Sequence, residues 1–203
     1  VAAAVGVNHV TDVTRAALTD YVVKADAVDI KAVNHNDIVS ATGGLALAKT
    51  DSGSNAVALA GAFSYNGIDS RTDAQLDDAH LTLGSVDFQD FVVETAVRRL
   101  SVTADDVSNI WSLAAGGAGA VASGGKKSSG TTIAGSLAGS VALNFITGHT
   151  RARMMDSDAT MLGGDAVSDA LVHAGNDADI FALAGSLSLY GRIALSAAGD
   201  YTA

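Results

Sequence analysis

The sequence predicts an all-β chain built from strand segments that recur and stack. Three observations carry this. Large and small residues alternate with the two-residue strand period over long stretches. Short motifs recur at regular spacing. The chain has 22 glycines and no proline, so nothing removes a ladder N–H from a central strand.

The alternation is clearest in three segments. Ile133, Leu137, Val141, Leu143 and Phe145 fall on one side of a strand, and Ala134, Ser136, Ala138, Ser140 and Ala142 on the other. Leu183, Leu187, Leu189, Ile193 and Leu195 alternate with Ala182, Ala184, Ser186 and Ser188. Val57, Leu59, Phe63 and Tyr65 alternate with Ala56, Ala58, Ala60 and Ala62. A helix would place the large residues three and four apart instead. Alanine's intrinsic helix preference leaves a helical reading of residues 166–198, which their glycines disfavour. The expectation is that the large residues fill the core and the Ala/Ser faces look outward.

The recurrences set the period. Val23 to Val28, Val102 to Val107 and Leu162 to Val167 share the pattern V/L-x-A/G-D-x-V, with a worn copy from Leu81 to Val86. A second landmark is Asn, then Val or Ile two residues on, then Ala eight residues on: Asn8, Val10, Ala16; Asn66, Ile68, Ala74; Asn144, Ile146, Ala152. A third is an isoleucine before a small-residue stretch, at Ile38, Ile110 and Ile180. The spacing from Asn8 to Asn66 is 58, from Asp105 to Asp165 it is 60, and from Asn66 to Asn144 it is 78. The difference of 20 equals the Ser85 to Asp105 spacing. This predicts a β-solenoid of one segment, 1–203, with coils of about 20 residues, three to a repeat, and repeats at about 1–55, 56–130 and 131–203. Asp105 then sits one winding above Ser85. The Ile spacings of 72 and 70 require loops of variable length. The polar clusters Lys49 to Asn55 and Gly124 to Gly130 read as such loops. As hairpin turns between long strands they would give an antiparallel long-stranded sheet or sandwich, the alternative fold.

These repeated blocks resemble the repeats of very large bacterial filamentous adhesins, the leukotoxin and haemagglutinin-like surface proteins. The resemblance runs over nearly the whole chain in three copies. It implies a right-handed parallel β-helix, secretion to the cell surface, and a structural or adhesive role with no catalytic residues. Chains of that family are far longer than 203 residues. Both ends here read as cuts through the pattern, as in an excised piece or a processed product.

Composition excludes several classes. Without cysteine there is no disulfide framework and no thiolate metal site. A net charge of −10 argues against nucleic-acid binding. The most apolar run, Thr131 to Ile146, is interrupted by Ser136, Ser140 and Asn144. It falls short of the ~20 apolar residues of a membrane helix, so no membrane span is expected.

The motifs that resemble chemical sites fail on context. Gly117 to Ala122 fits G-x-G-x-x-A, but the next acid is Asp156, far beyond the roughly 20 residues a dinucleotide site needs. Gly119 to Lys127 misses the phosphate-loop pattern at its lysine. Ala174 to Ile180 has the form of one calcium nonapeptide, and one copy does not complete a site. It reads as a surface turn. Asp77-Asp78, Asp105-Asp106 and Asp156/Asp158 read as solvated turns, with loose calcium binding as their alternative. His9, His35, His80, His149 and His173 show no metal-ligand spacing. Arg98-Arg99 and Arg151/Arg153 are the candidate bases of a carbohydrate-active β-helix resembling polysaccharide lyases.

No catalytic, cofactor or metal residue is therefore assigned. The expected function is a non-enzymatic segment of an extracellular filament or surface adhesin, associating with copies of itself or with neighbouring repeats and meeting a host-cell or glycan ligand. The lyase-like reading is the alternative, and a calcium-stabilised adhesive module a third.

Overall fold

The computed structural model describes residues 1–50, 55–88, 91–94, 97–124, 133–161 and 167–194. These residues form eleven strands and no helix. The first three are β1 (Ala2–Thr19), β2 (Val22–Ala25) and β3 (Ala27–Thr50). Next come β4 (Ala56–Asp77), β5 (His80–Leu83), β6 (Ser85–Phe88), β7 (Phe91–Glu94) and β8 (Val97–Gly124). The last are β9 (Ala134–Met155), β10 (Asp158–Met161) and β11 (Val167–Ala194).

The chain makes three passes, each a long strand, a short strand and a long strand. Equivalent strands pair in parallel, giving one long sheet β1-β4-β9, a second long sheet β3-β8-β11, and a short sheet β2-β5-β10 between them. The β6-β7 pair is an antiparallel hairpin inserted in the second pass. The fold is all-β with parallel strands in three sheets. The long strands do not pair antiparallel: β3 and β4 are consecutive in the chain yet lie in different sheets.

Two sequence landmarks are true ladders. Asn8, Asn66 and Asn144 pair in register in the first sheet, with Val10, Ile68, Ile146 and then Ala16, Ala74, Ala152 further along. Ile38, Ile110 and Ile180 pair in register in the second. The spacings that looked inconsistent belong to different sheets.

The 20-residue coil is not what forms. The register offset between successive passes is 58 and then 78 in the first sheet, and 72 and then 70 in the second. Asp105 pairs with Val33 and Gly175, not with Ser85, which lies in the inserted hairpin. Ala25 opposes Leu83 at an offset of 58, whereas Ala27 opposes Arg99 at an offset of 72. Fourteen of the extra 20 thus enter at the hairpin. The other six enter at the far end, where Thr50 opposes Ala122 but Ala56 opposes Ala134. Nor is Val102 to Val107 a copy of Val23 to Val28, since it lies within β8 opposite Ile30 to His35. The third copy, Leu162 to Val167, and the loop residues 51–54 and 125–132 fall largely outside the described residues.

The physical reason is the scarcity of corners. A 20-residue winding must turn every few residues, whereas these long strands run 18 to 28 residues. At about 3.3 Å per residue a 22-residue strand spans roughly 70 Å. Positive-φ residues among those described are Asp20, Asp78, Asp156 and Gly84. The three aspartates, at φ 59°, 48° and 47°, occupy the same corner between the first sheet and the short one in each pass. Aspartate tolerates the left-handed region better than most residues. The Asp20 N–H donates to the Asp77 carbonyl at 3.0 Å, and the Asp78 N–H to the Met155 carbonyl at 3.2 Å.

The two long sheets face each other across a thin interior, and its composition changes along the strands. Beside the corner sits a conventional core of Leu76, Leu81, Leu83, Leu100, Val102 and Ile30. Farther along comes a polar layer on Asp106, then the interleaved isoleucines Ile38, Ile68 and Ile110. Next is a layer of Asn66, Ser64, Ser112 and Ser40. The far end is filled by alanine: Ala46, Ala56, Ala58, Ala118, Ala120 and Ala122.

Here the expected polarity of the faces is reversed. Ala58 and Ser64 are buried, while Val57, Leu137, Leu187 and Leu189 point to the outside. Inter-sheet distance decides this. A Cβ on Gly116 would come within 2.5 Å of the Gly139 carbonyl oxygen of the opposite sheet, and Gly44 faces Gly61 in the same way. Backbones this close leave no volume for a leucine between them.

Candidate functional site

Two kinds of surface stand out: the open strand edges and the outer apolar faces. Each long sheet ends in unpaired edge strands, β1 and β3 on one side and β9 and β11 on the other. Among the described residues no strand pairs with their outer edges, a template for further pairing, although Ser136 and Ser140 donate to the Leu189 and Gly185 carbonyls and Ser188 to that of Ser136.

The two ends of the stack are not equivalent. Among the described residues, β3 packs against β1 and β4, and β8 against β4 and β9, but β11 packs chiefly against β9. The second sheet is thus offset by about half a strand, and the inner side of β11 lacks its second cover. Ile110 is 0% exposed, but Ile180, in the same ladder, is 49% exposed. Val102 and Val172 repeat the contrast.

Polar ladders fix the register across passes. The Asn8 amide donates to Asn66 Oδ1 at 2.8 Å, and the Asn66 amide to Asn144 Oδ1 at 2.7 Å. Asn66 also reaches Ser64 and Ser112 at 3.0 and 3.1 Å. Such amide ladders are a device of stacked in-register strands. Asp106, expected in a solvated turn with Asp105, is in the interior of β8 and buried. It accepts from Ser70, from Asn34 at 3.3 Å and from Ser108 at 3.3 Å.

The outer faces are divided. Beside the corner they carry the charged groups, with exposed Val13 and Val33 among them. Arg71 pairs with Asp73 at 2.7 Å, and Arg15 and Arg153 both donate to Gln75, at 3.0 and 2.6 Å. On the second sheet Arg99 pairs with Asp29, and Asn109 donates to Asp37 at 2.8 Å. The hydrogen bond from Asn109, and after it that from His35, holds the Asp37 carboxyl below the usual carboxylate value. At the corner His80 bonds Asp158 of the next pass, and this bond raises the His80 imidazole above its usual 6.5. Away from the corner, the outer positions become apolar and exposed. Val39, Trp111 and Phe181 form one ladder, with the Trp111 and Phe181 rings 5.0 Å apart. Tyr65 and Phe145, 5.7 Å apart, lie on the opposite face.

The motifs read as chemistry are dispersed. Gly117 to Ala122 is continuous strand in β8, with no strand-to-helix turn for a dinucleotide. The phosphate-loop near-miss runs partly outside the described residues. Ala174 to Ile180 is extended strand in β11, not the expected turn. Asp78 and Asp156 are at corners as expected. The histidines are exposed; His35 meets Asp37 at 2.9 Å and His173 approaches Asp105 at 3.8 Å. No group of three metal-ligating side chains occurs among the described residues. Arg98 is buried, Arg99 lies on the outside of the second sheet, and Arg151 and Arg153 belong to the first. The candidate bases are therefore not gathered in one groove.

The fold and these surfaces define a class: an all-β stack of long parallel strands with open ends. Comparison with protein-family models, curated proteins and solved structures finds no match to the chain.

Proposed function

We propose that this chain is a non-enzymatic structural segment of an extracellular filament or surface adhesin. In this reading the three passes are windings of a right-handed parallel β-helix, with the hand that parallel crossovers almost always take. Further windings, from neighbouring repeats of a longer chain or from another copy, add at the open ends. The extracellular and adhesive parts rest on the repeat resemblance. The stacking part rests on one observation: Ile180 is half exposed where its ladder partner Ile110 is sealed. A further long strand of the first-sheet type, laid beside β9, would cover it and pair an edge together.

Sedimentation velocity and negative-stain imaging of the full chain test this. The expected result is concentration-dependent rods with a cross-β spacing of about 4.8 Å along the stacking axis. Ile180→Lys is expected to weaken assembly while leaving the monomer folded. A strictly monomeric particle at high concentration overturns the stacking part.

A further inference from the structure

The outer apolar residues form a band of defined height. In the second sheet its outer positions are Val39 to Leu47, Trp111 to Val121 and Phe181 to Leu189 in the three passes. In the first sheet they are Val1 to Val7, Val57 to Tyr65 and Gly135 to Phe145. Every outward position in these spans is apolar, glycine or tyrosine; none is charged. Apart from Val1 to Val7, these spans are nine or eleven residues long, and their eight to ten rises of about 3.3 Å make a band roughly 27–33 Å tall. That is the hydrocarbon thickness of a bilayer and the strand length that crosses one.

The band also lies at one height on both faces. Gly44 sits across from Gly61, Gly116 from Gly139, and Ser112 from Asn66, which fixes the relative height of the two sheets. Trp111, Phe181, Tyr65 and Phe145 therefore share one level, where His9 begins the polar zone. Beyond it come Asp69, His149, Asp37 and Asp179. At the other limit stands Lys49. Aromatic residues at the junction of an apolar band and a charged zone are the interfacial signature of membrane strands. A protein partner docked on one face would not require the opposite face to match it in height, length and aromatic border. A slab of lipid does. The interior suits the same setting, because at band height it is Ala, Gly, Ser and Thr, with the hydrogen-bonded Asn66 and Asn144 at its border and no charge.

We infer that this half of the molecule is immersed in the hydrocarbon of a lipid bilayer, with the charged, corner-bearing half projecting into water. The shortfall of Thr131 to Ile146 as a helix does not bear on this, since strands cross with about 9–11 residues. Unpaired edges are not tolerated in hydrocarbon, so immersion requires edges closed by neighbouring passes. Only in that respect does the inference rest on the stacking reading.

The test is flotation of the full chain with phosphatidylcholine vesicles on a density gradient, beside the same chain without lipid. Trp111, the one tryptophan, is the reporter. The expected result is co-flotation, with Trp111 emission shifted to the blue and quenched more by bromine near the headgroups than at the bilayer centre. Leu137→Glu on one face and Leu187→Glu on the other are each expected to reduce flotation at least about tenfold. Thr103→Glu, on the charged half, is expected to leave it unchanged. Circular dichroism checks that the variants remain β-folded. Rods that form without lipid and do not float overturn the inference while leaving stacking intact. Flotation lost in only one of the two leucine variants overturns it in favour of a one-faced protein contact. Particles that thicken laterally without lipid, and disperse in both variants, overturn it in favour of face-to-face packing of copies. Flotation without rods in the lipid-free sample counts against stacking alone.

Discussion

The corner half and the far half of this molecule are built from the same six long strands yet are inverted in composition. Near Asp20, Asp78 and Asp156 the interior holds Leu76, Leu81, Leu83 and Leu100 and the outside is charged. At the far end the interior holds alanine and glycine and the outside holds leucine, valine and aromatics. The difference teaches that sheet separation, not hydrophobicity alone, selects which face of a strand is inside. Where a corner and a short third sheet hold the layers apart, bulk fits. Where glycine lets backbones touch, only methyl groups fit, and their large neighbours are turned out. Small interior residues bury little apolar area each, at ~25 cal/mol per Å², so the far half depends more on its ladders and on whatever covers its faces.

The comparison can be broken most directly by making one substitution in both halves. Leu83→Ala, at a fully buried corner site, is expected to cost about 3 kcal/mol in denaturant unfolding. Leu187→Ala, 61% exposed in the far half, is expected to cost less than about 0.5 kcal/mol in the lipid-free chain. Equal costs would mean the far half is not inverted. Gly116→Val is expected to destabilise by about 2–3 kcal/mol through collision with the Gly139 carbonyl. A Cβ on Gly139 meets nothing within 4 Å, and Gly139→Val is expected to be near neutral. A neutral Gly116→Val would show that the layers can separate.

The smallest effect concerns the corner's outer surface. His80 is raised above 6.5 chiefly by its bond to Asp158. A raised histidine contributes fully below its unfolded value and loses that contribution as pH rises through the folded one. The melting temperature is therefore expected to fall slightly from pH 6 toward pH 8, and the slope to diminish in His80→Gln. Exposure and salt screening keep the effect small. An imidazole titrating at or below 6.5 by NMR would remove the pair from the account.

Much of the architecture is legible in particular residues. Asn8, Asn66 and Asn144, and Ile38, Ile110 and Ile180, mark the registers of the two long sheets. The unequal spacings 58, 72 and 78 report two insertions at opposite ends of the second pass. The difference of 20 between 78 and 58 invites a shorter winding only because 14 and six sum to it. The recurring Asp20, Asp78 and Asp156 would locate the corners directly, since they repeat at 58 and 78, the same two spacings as the asparagine ladder. The buried Asp106 gives no such signal; its partners Ser70 and Asn34 come from other strands.

The sequence by itself points to a chain dominated by strands, to segments that recur, and to one bulky and one small face in the segments around Val57, Leu137 and Leu187. Alternation is symmetric about the strand, so it names two faces without saying which is inside. Only the tertiary structure decides that, because the deciding quantity is the distance between two sheets. That distance depends on which glycines, from strands far apart in the chain, come to face each other's carbonyls.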